Sequence, residues 1–348
     1  MLATMVRWLV ASSLVALAAC NALVGFDSLE RVGNAGSGGT GTSKDGGKGS
    51  RNDGGETGSE EGGTDPTTAT CDLSAPFGEA VPLSPTINTS DEEAAMTLTG
   101  DELTIIFQRF GPPQAGRPPK SDLFTATRTR RDEPFGAARP LTELQGNGAD
   151  YSPSITRDAL AIVWIELNRA RNPPSNDVFM ATRPTPDVAF TRPHVLTKVS
   201  LPNEEEFESF ISGDGNELWF TRENFDTGSG PKLMRSIRSL EDNDFVTAVQ
   251  MTSPAVTRQF SFTPDMLTVF TSVEVSGDDF DIVFLKRPKL TEPFSAPAPV
   301  EGINTTPHYE GAPWISSDGC RIYFSSSRLN NNNDLFVAER PPRSSTPR

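Results

Sequence analysis

Five copies of one pattern run through residues 91–340. Each copy has an apolar strand, preceded in four of the five by an acid, then a turn and a second strand ending in an aromatic. A loop and a third strand ending in Arg complete it. The second strands end at Phe107, Trp164, Phe220, Phe270 and Phe324, in steps of 57, 56, 50 and 54 residues. The third strands end at Arg128, Arg183, Arg238, Arg287 and Arg340, in steps of 55, 55, 49 and 53. Two independent anchors that keep one period define repeated structural units, and all-β units of this length are propeller blades.

The turns after the first strands fall at Gly100-Asp101, Arg157-Asp158, Gly213-Asp214-Gly215, Pro264-Asp265 and Asp318-Gly319. Gly and Asp there are expected to supply the backbone angles that a hairpin needs. The second strands are dense in β-formers, as in Leu103 to Phe107 and Leu160 to Trp164. A fourth, outer strand follows four copies. The fifth ends in Pro341-Pro342, and its missing strand is expected at the other end of the domain, where Ala75 to Leu83 has the outer-strand pattern. The expectation is a five-bladed all-β propeller whose N-terminal strand closes the last blade and leaves no raw sheet edge.

The last copy runs Trp314-Ile-Ser-Ser-Asp-Gly-Cys-Arg-Ile-Tyr-Phe-Ser-Ser-Ser-Arg328 and continues Asp334-Leu-Phe-Val-Ala. This pattern resembles the TolB-like (WD-repeat-like) β-propeller repeat and covers residues 73–340. The resemblance implies a periplasmic or cell-surface binding propeller. It implies no shared ligand, because propellers host many functions.

Residues 1–19 have the layout of a signal peptide: Arg7, an apolar run from Trp8 to Ala19, and small residues before Cys20. The end, Leu17-Ala18-Ala19-Cys20, resembles the bacterial lipobox, which implies that Cys20 becomes the lipid-modified first residue of a bacterial lipoprotein. Asn21 in place of Asp leans toward the outer membrane of the cell envelope. Residues 20–70 read as the lipidated Cys and a disordered linker, with 13 Gly among the 31 residues from Gly33 to Gly63. The propeller is expected over 71–340 and a disordered tail over 341–348.

Cys71 and Cys320 remain. The hairpin between first and second strands opens on the face where the fourth strand begins. Cys320 lies in that hairpin of blade 5, and Cys71 just precedes the strand that completes the same blade. In an oxidising compartment they are expected to form a disulfide that staples the ring.

Glu93, Asp150, Glu206 and Glu310 precede the first strands, which line a propeller's channel; the fourth copy has Thr257. Arg109, Arg222 and Arg328 lie just after the second strands, at the same mouth. Two readings stand side by side. The acids form an electronegative funnel for a cation, a basic peptide or a sugar, or each acid pairs with the Arg of its own repeat and clamps the blade. Variable loops between second and third strands open on this face, where recognition tends to reside on a rigid scaffold.

The formal charge of −15 speaks against nucleic acid. There is no nucleophile elbow, no His-Glu-x-x-His and no P-loop. The runs Asn330–Asp334 and Asp278–Asp281 offer oxygen atoms of the kind Ca²⁺ takes, but without the spacing of a calcium loop. No metal or cofactor beyond the lipid is expected. The chain reads as a non-enzymatic, monomeric, lipid-anchored propeller that binds an envelope protein, peptide or glycan. A propeller glycosidase working through channel carboxylates, or a structural surface protein, is the alternative.

Overall fold

The structure, a computed structural model, describes residues 70–343 except 112–119, 147, 169–173, 226, 240, 242–243, 253–255, 257 and 278. The expected signal peptide, Cys20 and most of the linker lie outside the described residues, as do Thr257 and Asp278. Among the described residues, no helix is long and apolar enough to cross a membrane.

The chain forms five four-stranded antiparallel sheets, each a blade. Blade 1 comprises Glu92–Leu98, Thr104–Phe110, Ser121–Thr127 and Arg139–Pro140. Blade 2 comprises Asp150–Ile155, Ala161–Asn168, Ser175–Thr182 and Thr191–Val195. Blade 3 comprises Glu205–Ile211, Glu217–Asn224, Ser229–Ile237 and Val249–Gln250, and blade 4 Phe260–Phe262, Thr268–Ser276, Asp279–Lys286 and Ala298–Pro299. Blade 5 comprises Glu310–Ile315, Arg321–Ser326 and Asp334–Glu339. Its outer strand is Val81–Pro82, pairing Val81 with Val337 and Pro82 with Phe336. The N-terminal strand therefore closes the ring, and the first strands meet their neighbours in cyclic order.

The core is distributed between blades. Phe107, Leu98 and Met96 of blade 1 pack with Tyr323 and Leu335 of blade 5. Ile106 and Leu123 pack with Ile155 and Trp164 of blade 2. Sheets covered on both faces favour unbroken apolar runs over alternation, which is why Ile105, Ile106 and Phe107 are all buried.

The repeated Arg and the repeated outer-strand Phe belong together. Arg128, Arg183, Arg287 and Arg340 lie 4.4, 4.3, 4.6 and 4.0 Å from the ring centres of Phe135, Phe190, Phe294 and Phe77; Arg238 lies 5.6 Å from Phe245. Each also donates to a carbonyl of its own blade's hairpin, at Glu102, Ala159, Met266, Gly319 and Gly215. One cation thus ties the third strand to both the hairpin and the outer strand.

The hairpins differ from the expectation in how they turn. The left-handed residue follows the Asp and is Glu102, Ala159, Gly215, Met266 or Gly319, with φ between 58° and 74°; only two are glycine. The Asp side chain makes the turn instead. It accepts the hydroxyl proton of Thr99, Thr156, Ser212, Thr263 or Ser316 and the backbone N–H two residues on. In blade 1 the left-handed Glu102 also receives Arg321 of blade 5 through two bonds of 2.6 Å, and the Tyr323 hydroxyl at 3.0 Å.

Cys71 and Cys320 form a disulfide with Cα atoms 5.7 Å apart, beside Leu73. It joins the segment entering the ring to the hairpin of the blade that this segment completes.

Candidate functional site

The start of each first strand and the end of each second strand converge on the loop face. In blade 1, Arg109 Nε donates to Glu93 at 2.7 Å, and Nη2 donates to the Ile87 carbonyl at 2.8 Å. The guanidinium lies 4.5 Å from the ring centre of Phe124 and 5.4 Å from that of Phe107. Thr89 donates its N–H to the other oxygen of Glu93 and its hydroxyl to the oxygen that Arg109 bonds. Blade 3 repeats the plan: Arg222 donates to Glu206 at 2.9 Å and to the Val199 carbonyl, over Phe220. In blade 5 Ser326 stands at the position of Arg109, and Arg328 reaches back from the loop. It lies 3.2 Å from Glu310, donates to the Ile303 carbonyl at 2.7 Å, and covers Phe324 and Phe336. Thr305 bonds Glu310 as Thr89 bonds Glu93.

Glu93, Glu206 and Glu310 are each fully buried. A buried carboxylate is tolerable only when paired and hydrogen-bonded. The arginines supply the pairing, and the aromatic shelf beneath supplies a cation–π contact. Blade 3 is compensated least. Leu201 stands where Thr305 stands and has no hydroxyl, so only its backbone N–H faces Glu206, whose Oε2 lacks a well-formed hydrogen bond. Burial raises the Glu206 carboxyl to about 7 against the pull of Arg222.

Blade 2 departs from the plan. Asp150 is fully buried, and neither carboxyl oxygen has a hydrogen-bond partner. The residue opposite it in the ladder, where blades 1 and 3 have Arg, is Glu166. Burial first, and Glu166 second, raise the Asp150 carboxyl to about 8, and burial raises Glu166 as well.

The channel itself is lined by a second set of repeated positions. Four first strands bulge at a left-handed residue: Ala95, Ser152, Glu208 and Ala312, with φ of 39°, 49°, 54° and 50°. A bulge re-aims the side chains around it. Gln259 stands at the corresponding place in blade 4. These five residues line a cavity of about 30 Å³ on the axis, together with Met96, Phe260 and Pro313. A further cavity of about 60 Å³, on the hairpin side, is narrowed by Phe210, Phe262, Met266 and Trp314.

Glu208 is the acid of this inner ring. Ser152 Oγ donates to it at 3.1 Å. Burial raises its carboxyl to about 7, with Arg258 opposing and Glu223 reinforcing. Arg258 lies 4.7 Å from the ring centre of Phe280, which packs 5.6 Å from Tyr309. The Tyr309 hydroxyl donates to Gln259 Oε1 at 3.2 Å. The mouth therefore offers a carboxyl poised near neutrality, a guanidinium, an amide and a phenol.

No protein-family model and no curated protein matches the sequence. Solved structures do. The catalytic domain of a GH62 α-L-arabinofuranosidase from Coprinopsis cinerea superposes with a TM-score of 0.53 at 13% identity, over 76% of this chain and 96% of that one. TolB from Acinetobacter baumannii superposes with a TM-score of 0.45 at 12% identity, over 80% and 67%. At these identities the likeness is one of fold.

Sequence reasoning singled out Glu93, Asp150, Glu206, Glu310, Arg109, Arg222 and Arg328. The structure brings three acids together with the three arginines and leaves Asp150 facing a second acid. Sequence reasoning passed over Glu208, Arg258, Gln259 and Glu166. Glu166 had a legible signal, since it lies two residues after Trp164 as Arg109 does after Phe107. Glu208 had none without knowledge of the bulge.

Proposed function

We propose that the protein is a lipid-anchored propeller of the bacterial cell envelope that binds a protein, peptide or glycan at the channel mouth on its loop face. The observation that carries this reading is the group Glu208, Arg258, Gln259 and Tyr309. The repeat asks for none of these residues, and they converge where the five blades meet. Their mix of charge, amide and hydroxyl suits a ligand read by hydrogen bonds. Exposed Phe225 and Leu329, each past the second strand of its blade, and Val275, near the end of the second strand of blade 4, add apolar contact on the same face. The envelope address rests on Arg7, the apolar run and Cys20. The clamped acids Glu93, Glu206 and Glu310 serve the blades in this reading, and the ligand is left to the mouth.

The test is recovery of the full-length protein from solubilised envelope, comparing the natural chain with Glu208→Gln and Arg258→Ala. A stoichiometric companion lost from both variants, with the unfolding midpoint unchanged, is the expected result. A companion retained by both removes the channel mouth from the reading.

A second reading is favoured by the Glu208 carboxyl being held near 7, a value suited to a general acid in glycoside hydrolysis. It needs a second carboxylate in an unlike environment, and Glu223 is the residue to test. Release of sugar from α-L-arabinofuranosides and related glycans, abolished in Glu208→Gln, would move the protein to this class.

A further inference from the structure

Blade 2 keeps the buried acid and the aromatic shelf of the clamp but has a carboxyl in place of its guanidinium. Three blades show what such a clamp is made of: a buried acid at the start of the first strand, a carbonyl six or seven residues earlier, and an aromatic shelf. Blade 2 has the acid, Asp150. It has the carbonyl position, Leu144, whose turn is made like that of Ile87, each N–H bonding back three residues. It has the shelf, Trp164 and Phe179, with ring centres 5.7 Å apart, as Phe107 and Phe124 are 6.2 Å apart. The residue that should supply the cation is Glu166, a second carboxyl. Gly146 takes the place of Thr89, and the Glu166 carboxyl fills the space that a side chain would need there, since a Cβ on Gly146 would lie 1.9 Å from a Glu166 carboxyl oxygen.

Both buried oxygens of Asp150 lack a well-formed hydrogen bond as a result, and the Trp164 indole N–H stands beside the Asp150 and Glu166 carboxyls without aligning on either. Lys120 is the cation whose field reaches both carboxyls; its ammonium stands at the edge of the site, 3.3 Å from the Gly146 carbonyl, and pairs with Asp122 at 2.7 Å. Buried polar groups left unpaired are costly, and each calls for a partner or a role.

We propose that the blade 2 pocket of Asp150, Glu166, Leu144 and Trp164 is a receptor for one alkylguanidinium group, the side chain of an arginine. The planar cation would take Asp150 and Glu166 as acceptors, reach the Leu144 carbonyl and lie over Trp164 and Phe179. A lysine ammonium matches this fork-and-plane arrangement poorly. The pocket shares no residue with the channel mouth, so the proposal stands apart from the reading above.

The test is an NMR titration of the full chain, following the Trp164 indole resonance, identified by its loss in Trp164→Phe. The probes are N-acetyl-L-arginine methylamide, free L-arginine and N-acetyl-L-lysine methylamide. The expected result is a saturable shift in the millimolar range with both arginine probes, and binding at least about tenfold weaker for the lysine probe. The tighter of the two arginine probes tells a peptide side chain from a free amino acid. Asp150→Asn should abolish the shift. Glu166→Arg should also abolish it while raising the melting temperature, because the chain then fills its own pocket. A Trp164 resonance indifferent to arginine, or equal response to lysine, overturns the proposal, as does a Glu166→Arg chain that is less stable. Arg169 and Arg171 lie outside the described residues. Binding that appears only in Arg169→Ala or Arg171→Ala would show that the chain supplies its own guanidinium, and would overturn the proposal too.

Discussion

Blade 1 and blade 2 share a strand plan and a hairpin chemistry but treat their buried acid in opposite ways. Glu93 of blade 1 is bonded by Arg109 and by both donors of Thr89. Asp150 of blade 2 has a carboxyl where that arginine would be and a glycine where that threonine would be. Both acids are fully buried. The comparison teaches that repetition of an acid along a chain says little about its state. Two neighbouring positions decide whether it is a bonded strut or an unfilled acceptor. A strut serves the fold in each blade that repeats it, whereas an exception is where selection for something other than folding can act.

The largest effect should come from breaking the complete clamp. Arg109→Gln leaves Glu93 buried without its counter-charge and should lower unfolding free energy by about 3–5 kcal/mol, read by urea denaturation. A loss under about 1 kcal/mol would mean that Thr89 alone holds the acid.

Next is the pH dependence of Asp150. Its folded value is about 8, well above the ordinary carboxylate value expected unfolded. The folded chain thus binds the extra proton between roughly pH 4 and pH 8, and Asp150 lowers stability progressively as pH rises through that window. Asp150→Asn should flatten that part of the stability profile and gain most at its alkaline end. The same substitution at Glu93 should destabilise, and an identical outcome at both sites would erase the contrast between the blades.

Glu166→Gln removes the like charge and offers Asp150 an amide donor. Thermal unfolding should show a gain of up to about 1 kcal/mol, opposite in sign to Arg109→Gln. The smallest change is Leu201→Thr, which gives the blade 3 clamp the hydroxyl that blades 1 and 5 have. A gain of about 0.5 kcal/mol is expected, with the Glu206 carboxyl moving down from about 7 in an NMR titration.

Much of the architecture was legible in the chain. Period and β-forming runs lead to five blades, and the outer-strand pattern at Ala75 to Leu83 leads to closure by an N-terminal strand. Strand direction alone brought Cys71 to Cys320. The hairpins were legible in place but not in chemistry. Gly100-Asp101 are expected from the sequence to supply the backbone angles, whereas the Asp101 and Thr99 side chains make the turn and Glu102 takes the left-handed angle. Gly100 serves instead for close approach, since a Cβ there would strike Arg157 of the next blade.

What the sequence by itself determined is whatever depends on local pattern and repetition: blade number, strand order, the closing strand, and the Arg and Phe that bind hairpin to outer strand. These rest on spacing along the chain, which a period preserves. What only the tertiary structure decided is which groups are left without partners. A buried acid counts as satisfied or bare through neighbours 4 to 18 residues away and through a bulge that turns Glu208 toward the axis. Those contacts lie across the sheet and across the ring, where hydrogen bonding and desolvation act over a few ångströms of space and sequence distance carries no weight.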